Sequence, residues 1–255
     1  MQEGATPAAQ LVARSGLLVI AHRGASNDAP ENTLPAFRAA LETQADLVEL
    51  DTHESSDGIP VVFHDAHLDR TTDARARWGG SKIPLASRSL EDLQQLDAGS
   101  WFDPRFAGTQ VPTLAAALDV IQSASVTLIE RKAGLPETML ALLEARRLVD
   151  RVIVQSFDWA FLAACRQQSE SLVLGALGSK ILSPERLADV LASGAAVLGW
   201  KHQHITAELI AQAHGKGLKV WAWTVDDVAR ARALEAMGVD GVITNVPARM
   251  IEALR

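Results

Sequence analysis

The side chains of this chain that could do acid–base, metal or phosphate chemistry gather at the ends of its apolar runs. The first run, residues 17–21, stops at His22-Arg23-Gly24, and a small polar loop then leads to Pro30-Glu31-Asn32-Thr33. The second, Leu47-Val48-Glu49-Leu50-Asp51, carries two carboxylates two residues apart, the spacing that puts both on one side of a strand. His64-Asp65 follows a short β-branched stretch, and Glu130 and Lys132 close a third run. Later runs end near Gln155, Trp200, Trp223 and Asn245. Packing alone does not require a polar or aromatic residue at nearly every strand end.

If these ends converge, Glu49, Asp51 and Glu130 repel one another and are costly to desolvate. Either Arg23 and Lys132 alone neutralise them, or a hard divalent cation with oxygen ligands does. We adopt the second reading, with Mg²⁺ or Ca²⁺ as the ion and the three carboxylates as its ligands. A single cysteine and the lack of a His-x-x-x-His pair disfavour zinc. His22 and His64, beside the carboxylates, suit general acid–base catalysis, because the unperturbed imidazole pKa is ~6.5. Arg23 and Lys132 would hold an anion, and a phosphate diester fits a bidentate guanidinium. Gln155 and Trp223 are expected to line the substrate pocket, with Trp200 a further candidate. Ser156 has no histidine in its sequence context that would make it a nucleophile. His53, His202 and His204 are read as solvated, although His53 follows Asp51 at strand spacing and could approach the metal.

These side chains need a scaffold that brings strand ends together. From about residue 112 onward, β-branched apolar runs at 126–130, 152–157, 172–177, 196–200, 219–225 and 241–245 alternate with helical segments. Ser183-Pro184 opens one of these helices, and glycines follow another. With the two front runs this makes eight strand–helix units, which predicts a TIM (β/α)8 barrel. An open doubly wound sheet is the alternative, but no Gly-x-Gly-x-x-Gly follows the first run. In such a barrel the strand ends face one mouth. Between the second run and a helix at 113–122 lie a hairpin arm, PVVFHD, a polar stretch and a short helix. They predict a small insertion after strand 2, a lobe over about 66–110. The chain, 1–255, is read as one domain, with 1–15 a loose N-terminal tail.

The net charge of −7 argues against general nucleic-acid binding. Cys165, the single cysteine, excludes an intrachain disulfide, and its helical context predicts a buried core thiol. Leu17–Ala21 apart, the N-terminus has no apolar stretch, and that run is too short for a signal or a membrane span. We therefore expect a soluble, cytoplasmic protein without stable membrane insertion.

His22-Arg23-Gly24, Pro30-Glu31-Asn32-Thr33, Glu49-x-Asp51, Asp57-Gly58, His64-Asp65 and Leu68-Asp69-Arg70-Thr71-Thr72 occur in order. Pro112-Thr113-Leu114, Glu130-x-Lys132, Gln155-Ser156-Phe157, Trp221-x-Trp223-Thr224 and Asp240-Gly241-x-Ile243-Thr244-Asn245 continue the series. In these motifs the chain resembles the glycerophosphodiester phosphodiesterases over nearly its whole length. The resemblance implies a TIM barrel with a small insertion after strand 2. It also implies metal-dependent hydrolysis of glycerophosphodiesters, such as glycerophosphocholine or glycerophosphoethanolamine, to glycerol 3-phosphate and an alcohol. Glu49, Asp51 and Glu130 then correspond to metal ligands, His22 and His64 to the acid–base pair, Arg23 and Lys132 to phosphate contacts, and Glu31 to a site-loop residue that binds substrate. Gln44-Ala45-Asp46 departs from the family's Gly-Ala-Asp at a turn. The expected partner is a small-molecule diester. Two alternatives stay open: phospholipase D-like action on lysophospholipids, and a catalytically silent barrel that binds phosphorylated metabolites.

Overall fold

Along each buried run the side chains alternate between two apolar cores, and that alternation builds the barrel. The computed structural model describes residues 5–255. Its strands are β1 (Leu18–Ala21), β2 (Leu47–Glu54), β3 (Pro60–Val62), β4 (Val126–Arg131), β5 (Val152–Ser156), β6 (Val173–Gly178), β7 (Val197–Lys201), β8 (Lys219–Trp223) and β9 (Gly241–Thr244). They run in the order β1-β9-β8-β7-β6-β5-β4-β2-β3, and β1 pairs with β2 as well, which closes the sheet. All ladders of the ring are parallel; β3 alone is antiparallel, forming the expected hairpin arm on β2. The fold is a TIM-like eight-stranded parallel barrel with extra structure after its second strand.

Ile20, Leu47, Leu128, Ile153, Trp221 and Ile243 point inward and form one core. Val19, Val48, Ile129, Val154, Leu198 and Val242 point outward, against the helices. Strands buried on both faces read as continuous apolar runs, which is why the sequence showed them so plainly. The helices are α1 (Pro7–Ala13), α2 (Leu34–Glu42), α3 (Ala74–Trp78), α4 (Leu90–Gln94), α5 (Leu114–Ile121), α6 (Pro136–Ala145), α7 (Trp159–Gln168), α8 (Pro184–Ala192), α9 (Ala207–His214), α10 (Val228–Ala236) and α11 (Pro247–Leu254). Side chains of Thr33, Thr113, Asp158, Ser183, Thr206 and Asp227 cap helices by accepting from backbone N–H groups three residues on. Cys165 is buried in α7, as expected, and burial pushes its thiol up to about 11. Among the described residues no helix is long and apolar enough to cross a membrane.

Two expectations are corrected. Residues 7–13 are not a loose tail: they form α1, whose Ala8 and Val12 join the inner core from the end of the barrel opposite the mouth. The open end would otherwise expose inner-core residues such as Leu18 and Trp221, and the amphipathic segment covers them. Asp46 ties the cover down, accepting from Val19 N–H at 2.8 Å, Arg14 at 2.5 Å and Arg255 at 2.6 Å. Residues 1–4, the rest of the expected tail, lie outside the described residues. Trp200 is the second correction. It points outward, is fully buried, lies 6.3 Å ring to ring from Trp159, and donates to the Lys180 carbonyl at 2.7 Å. Gly178 makes room for it, since a Cβ there would come 2.0 Å from the indole.

The lobe after β3 has a small core of its own, including Phe63, Leu68, Leu85, Leu93 and Leu96. It stays attached to the mouth through polar contacts described below.

Val12→Asp would place an unpaired carboxylate beneath the barrel, so Tm should fall by about 5 °C or more, the scale of a loss of about 2 kcal/mol in a chain of this size. Binding at the mouth should be unaffected, because α1 covers the far end. An unchanged Tm in thermal unfolding would show that α1 contributes nothing to stability.

Candidate active site

At the mouth end of β2, Glu49 and Asp51 both face inward, and the β2–β4 register sets Asp51 opposite Glu130. One oxygen from each of Glu49, Asp51 and Glu130 lies within 4.8 Å of the others, and all three residues are buried. Arg23 Nε stands 3.0 Å from Asp51 Oδ2, and Lys132 Nζ stands 3.2 Å from Asp51 Oδ1 and against Glu130 Oε1. Glu49 Oε1 is buried with no hydrogen-bond partner, and Asp51 Oδ1 and Glu130 Oε1 are buried beside Lys132 without an aligned donor. Burial drives Glu49 well above the ordinary carboxylate range, reinforced by Asp51 and Glu130. Burial and Asp51 push Glu130 up to about 7. Asp51 goes the other way despite its burial, held down by Lys132 and Arg23. Two cations therefore do not satisfy three carboxylates, and the unaligned, oxygen-only donor set fits a hard divalent cation. The triad can hold a metal.

The loop after β1 brings the guanidinium in. Arg23 and Asn32 adopt left-handed backbone, with φ of 56° and 58°, and Gly24 follows Arg23 at φ 81°. The strain is held by Arg23 N–H, which donates to Glu49 Oε2 at 2.8 Å, and by Gly24 N–H on the Glu49 carbonyl at 3.2 Å. Gly24 has no substitute, because a Cβ there would lie 2.6 Å from the Ala36 backbone. Asn32 is buried and clamps Asp51, donating to Oδ2 at 2.8 Å and accepting from its backbone N–H at 3.1 Å. Thr33 is the cap of α2.

His22, Arg23, His64, Lys132, Gln155 and Trp223 all line one cavity of about 240 Å³ at the mouth, together with Glu49 and Glu130. The opposite wall is apolar, built from Phe157, Leu177, Trp223 and Ile243. Trp223 stands edge-to-face on Phe157, with centroids 5.6 Å apart, and donates to the Gly199 carbonyl at 3.1 Å. Glu31 is placed differently. Its carboxylate accepts from Arg23 at 2.9 Å and from both terminal nitrogens of Arg70 at 2.7 and 2.8 Å, so it braces Arg23 rather than facing the cavity.

The histidines have different backing. His22 Nδ1 lies 2.7 Å from the amide oxygen of Asn245. Burial and the nearby Arg23 cation push His22 down to about 4. His64 Nδ1 lies 2.5 Å from Asp65, whose other oxygen accepts from Arg70 at 2.6 Å. Burial, Arg23 and Lys132 lower His64, while Asp51 and Asp65 oppose them. His53 is buried rather than solvated, because its Nε2 donates to the His64 carbonyl at 3.1 Å and so pins that residue's backbone. His202 and His204 sit in a short turn after β7 and do not line the cavity; His202 Nδ1 accepts from Arg230 at 3.3 Å. Sequence reasoning did not single out Phe157, Arg70 or Asp226. Phe157 and Arg70 lay within motifs already quoted, whereas Asp226 carried no signal beyond its place after an apolar run.

The model of the glycerophosphoryl diester phosphodiesterase family matches residues 22–249. A glycerophosphodiester phosphodiesterase of Caldanaerobacter subterraneus is 33% identical, over 93% of this chain and 98% of its own. One of Bacillus subtilis is 30% identical, over 93% and 86% respectively. Among solved structures, an Oleispira antarctica phosphodiesterase in complex with the product sn-glycerol-3-phosphate superposes with a TM-score of 0.83 at 30% identity, covering 92% of this chain and 96% of that one. The glycerophosphodiester phosphodiesterase of Agrobacterium tumefaciens gives 0.79 at 29% identity, covering 93% and 100%.

Glu130→Gln removes one of three charges from the triad, so divalent-ion affinity by titration calorimetry should fall about tenfold or more, in keeping with dependence on ligand charge. Wild-type affinity in that variant would exclude Glu130 as a ligand.

Proposed function

The chain belongs to the glycerophosphoryl diester phosphodiesterase family and is a glycerophosphodiester phosphodiesterase, and on that premise we propose that it converts small glycerophosphodiesters, such as glycerophosphocholine and glycerophosphoethanolamine, to glycerol 3-phosphate and an alcohol with His22 and His64 as acid–base pair. One observation carries the reading. A single small cavity has the acidic triad, two cations and both histidines on one wall and an apolar surface on the other. That division suits a phosphate joined to a short carbon skeleton. The product bound to the similar Oleispira antarctica enzyme has that shape.

In this reading Arg23 and Lys132 contact phosphate oxygens, Gln155 contacts a glycerol hydroxyl, and Phe157 and Trp223 pack on the glycerol carbons. Glu49, Asp51 and Glu130 hold Mg²⁺ or Ca²⁺, which when bound supplies positive charge to the phosphate. His22, kept neutral by burial and Arg23, accepts the proton from the attacking oxygen, that of water or of the neighbouring glycerol hydroxyl, whose cyclic phosphate water then opens. His64 gives its proton to the leaving alcohol. The Asp65 carboxylate stabilises its imidazolium, and the negative charge of a bound diester acts in the same sense. The lobe thus supplies the acid, and the barrel supplies the base.

Phosphorus NMR with glycerophosphocholine should show glycerol 3-phosphate appearing, and excess chelator should stop it. His22→Ala and His64→Ala should each lower kcat about 10²–10⁴-fold with little change in KM, the usual share of acid–base catalysis. With a p-nitrophenol leaving group, which needs no protonation, His64→Ala should recover much of its rate and His22→Ala should not. Near wild-type kcat in either variant on the natural diester would defeat the two-histidine reading. Tight binding of diesters without turnover would favour a silent binding barrel.

A further inference from the structure

We propose that Asp226, through Asn245, fixes the tautomer of His22, so that Nδ1 carries the proton and Nε2 presents its lone pair to the cavity; the inference rests on the base role given to His22 above. Three adjacent strands bring these residues together. His22 follows β1, Asn245 follows β9 and Asp226 lies just beyond β8. The backbone is held at each point. His22 N–H donates to the Thr244 carbonyl at 2.9 Å, Asn27 N–H to the Asn245 carbonyl at 3.1 Å, and Arg249 to the Asp226 carbonyl at 2.5 Å.

The side-chain logic follows from what each group can donate. Asp226 Oδ1 accepts from Asn245 N–H at 2.7 Å and from Thr244 Oγ1 at 3.0 Å. Its Oδ2 accepts from Asn245 Nδ2 at 2.7 Å. A carboxylate accepts only, so the amide nitrogen of Asn245 must face it. The amide oxygen then faces the other way, where Ser26 Oγ donates at 3.0 Å and His22 Nδ1 lies at 2.7 Å. An amide oxygen also accepts only, so Nδ1 must bear the proton. In the neutral imidazole this leaves Nε2 free to take one.

The two histidines are thereby distinguished. His64 has a carboxylate directly behind Nδ1, which favours the protonated ring. His22 has a neutral amide there, with the carboxylate one residue further back, so the ring is oriented without a charge that would protonate it. Asp226 does not line the cavity and is a positioning residue.

Asp226→Asn tests this. The backbone N–H of Asn245 keeps the new amide oxygen on its side, so the new amide nitrogen faces Asn245 Nδ2. The two donors clash, and Asn245 turns over to offer its oxygen to residue 226 and its nitrogen to His22. The imidazole must then accept at Nδ1 and carry its proton at Nε2. In the metal-loaded enzyme kcat should fall about 10²–10⁴-fold with KM little changed, as for loss of a general base. Long-range ¹H–¹⁵N spectra of histidine-labelled protein at neutral pH should show His22 unprotonated at Nε2 in the wild type and at Nδ1 in the variant. The swap Asp226→Asn with Asn245→Asp restores an acceptor facing His22 and should return the ring proton to Nδ1 in the same spectra. A wild-type His22 protonated at Nε2 overturns the proposal, and so does a folded Asp226→Asn enzyme with unaltered kcat or a folded swap whose His22 keeps Nδ1 unprotonated. If the single variant does not fold, the wild-type tautomer alone decides. His22→Ala with full activity would instead defeat the base reading, whatever the tautomer proves to be.

Discussion

Asp51 is wholly buried, yet it stays ionised because Arg23 and Lys132 approach its two oxygens from opposite sides. Much of the mouth is arranged around that buried charge. Together with burial, it raises Glu49 and Glu130, its neighbours in space, and so leaves a site that gains from a divalent cation. To reach it, the chain after β1 must pass through left-handed backbone at Arg23, with no side chain at Gly24 and a clamp from Asn32. A buried charge of this kind is costly unless it is paired, and the pairing fixes where the cations can stand.

The lobe and the barrel meet at the same charges. Arg70, from the lobe, binds Glu31 on the β1 loop and Asp65 behind His64. Arg70 is partly exposed, so its worth lies more in geometry than in energy. It keeps Asp65 down to about 2, so that carboxylate is ionised beside His64 Nδ1. Glu31, saturated by two arginines, transmits position rather than contacting the cavity.

Packing beneath the mouth explains why the cavity is small and two-faced. Inward positions low in the barrel are filled by Ile20, Leu128, Ile153 and Trp221, and α1 covers the far end. A glycine at an inward position gives Trp221 room. A Cβ on Gly241 would meet Trp221 at 2.8 Å, and the carbonyl of Gly199 receives the Trp223 indole. Higher up, apolar side chains give way to charged ones on the β1, β2 and β4 side, while Phe157 and Trp223 continue the apolar wall on the other.

The sequence by itself determined the barrel, because strands buried on both faces show as uninterrupted apolar runs separated by capped helices. It also determined which carboxylates share a face, since Glu49 and Asp51 are two apart on one strand. Tertiary structure decided the rest, for reasons of direction and partnership that spacing does not encode. Trp200 ends a strand as Trp223 does, yet strand alternation turns it outward. Residues 7–13 read as a loose tail until the open end of the barrel gives their apolar side something to cover. His53 becomes a support for His64 only because the hairpin folds back on β2. Asp226 and Asn245, 19 residues apart, meet behind His22 only when the barrel closes through β1 and β9, and that closure depends on pairing residues more than 200 positions apart in the chain.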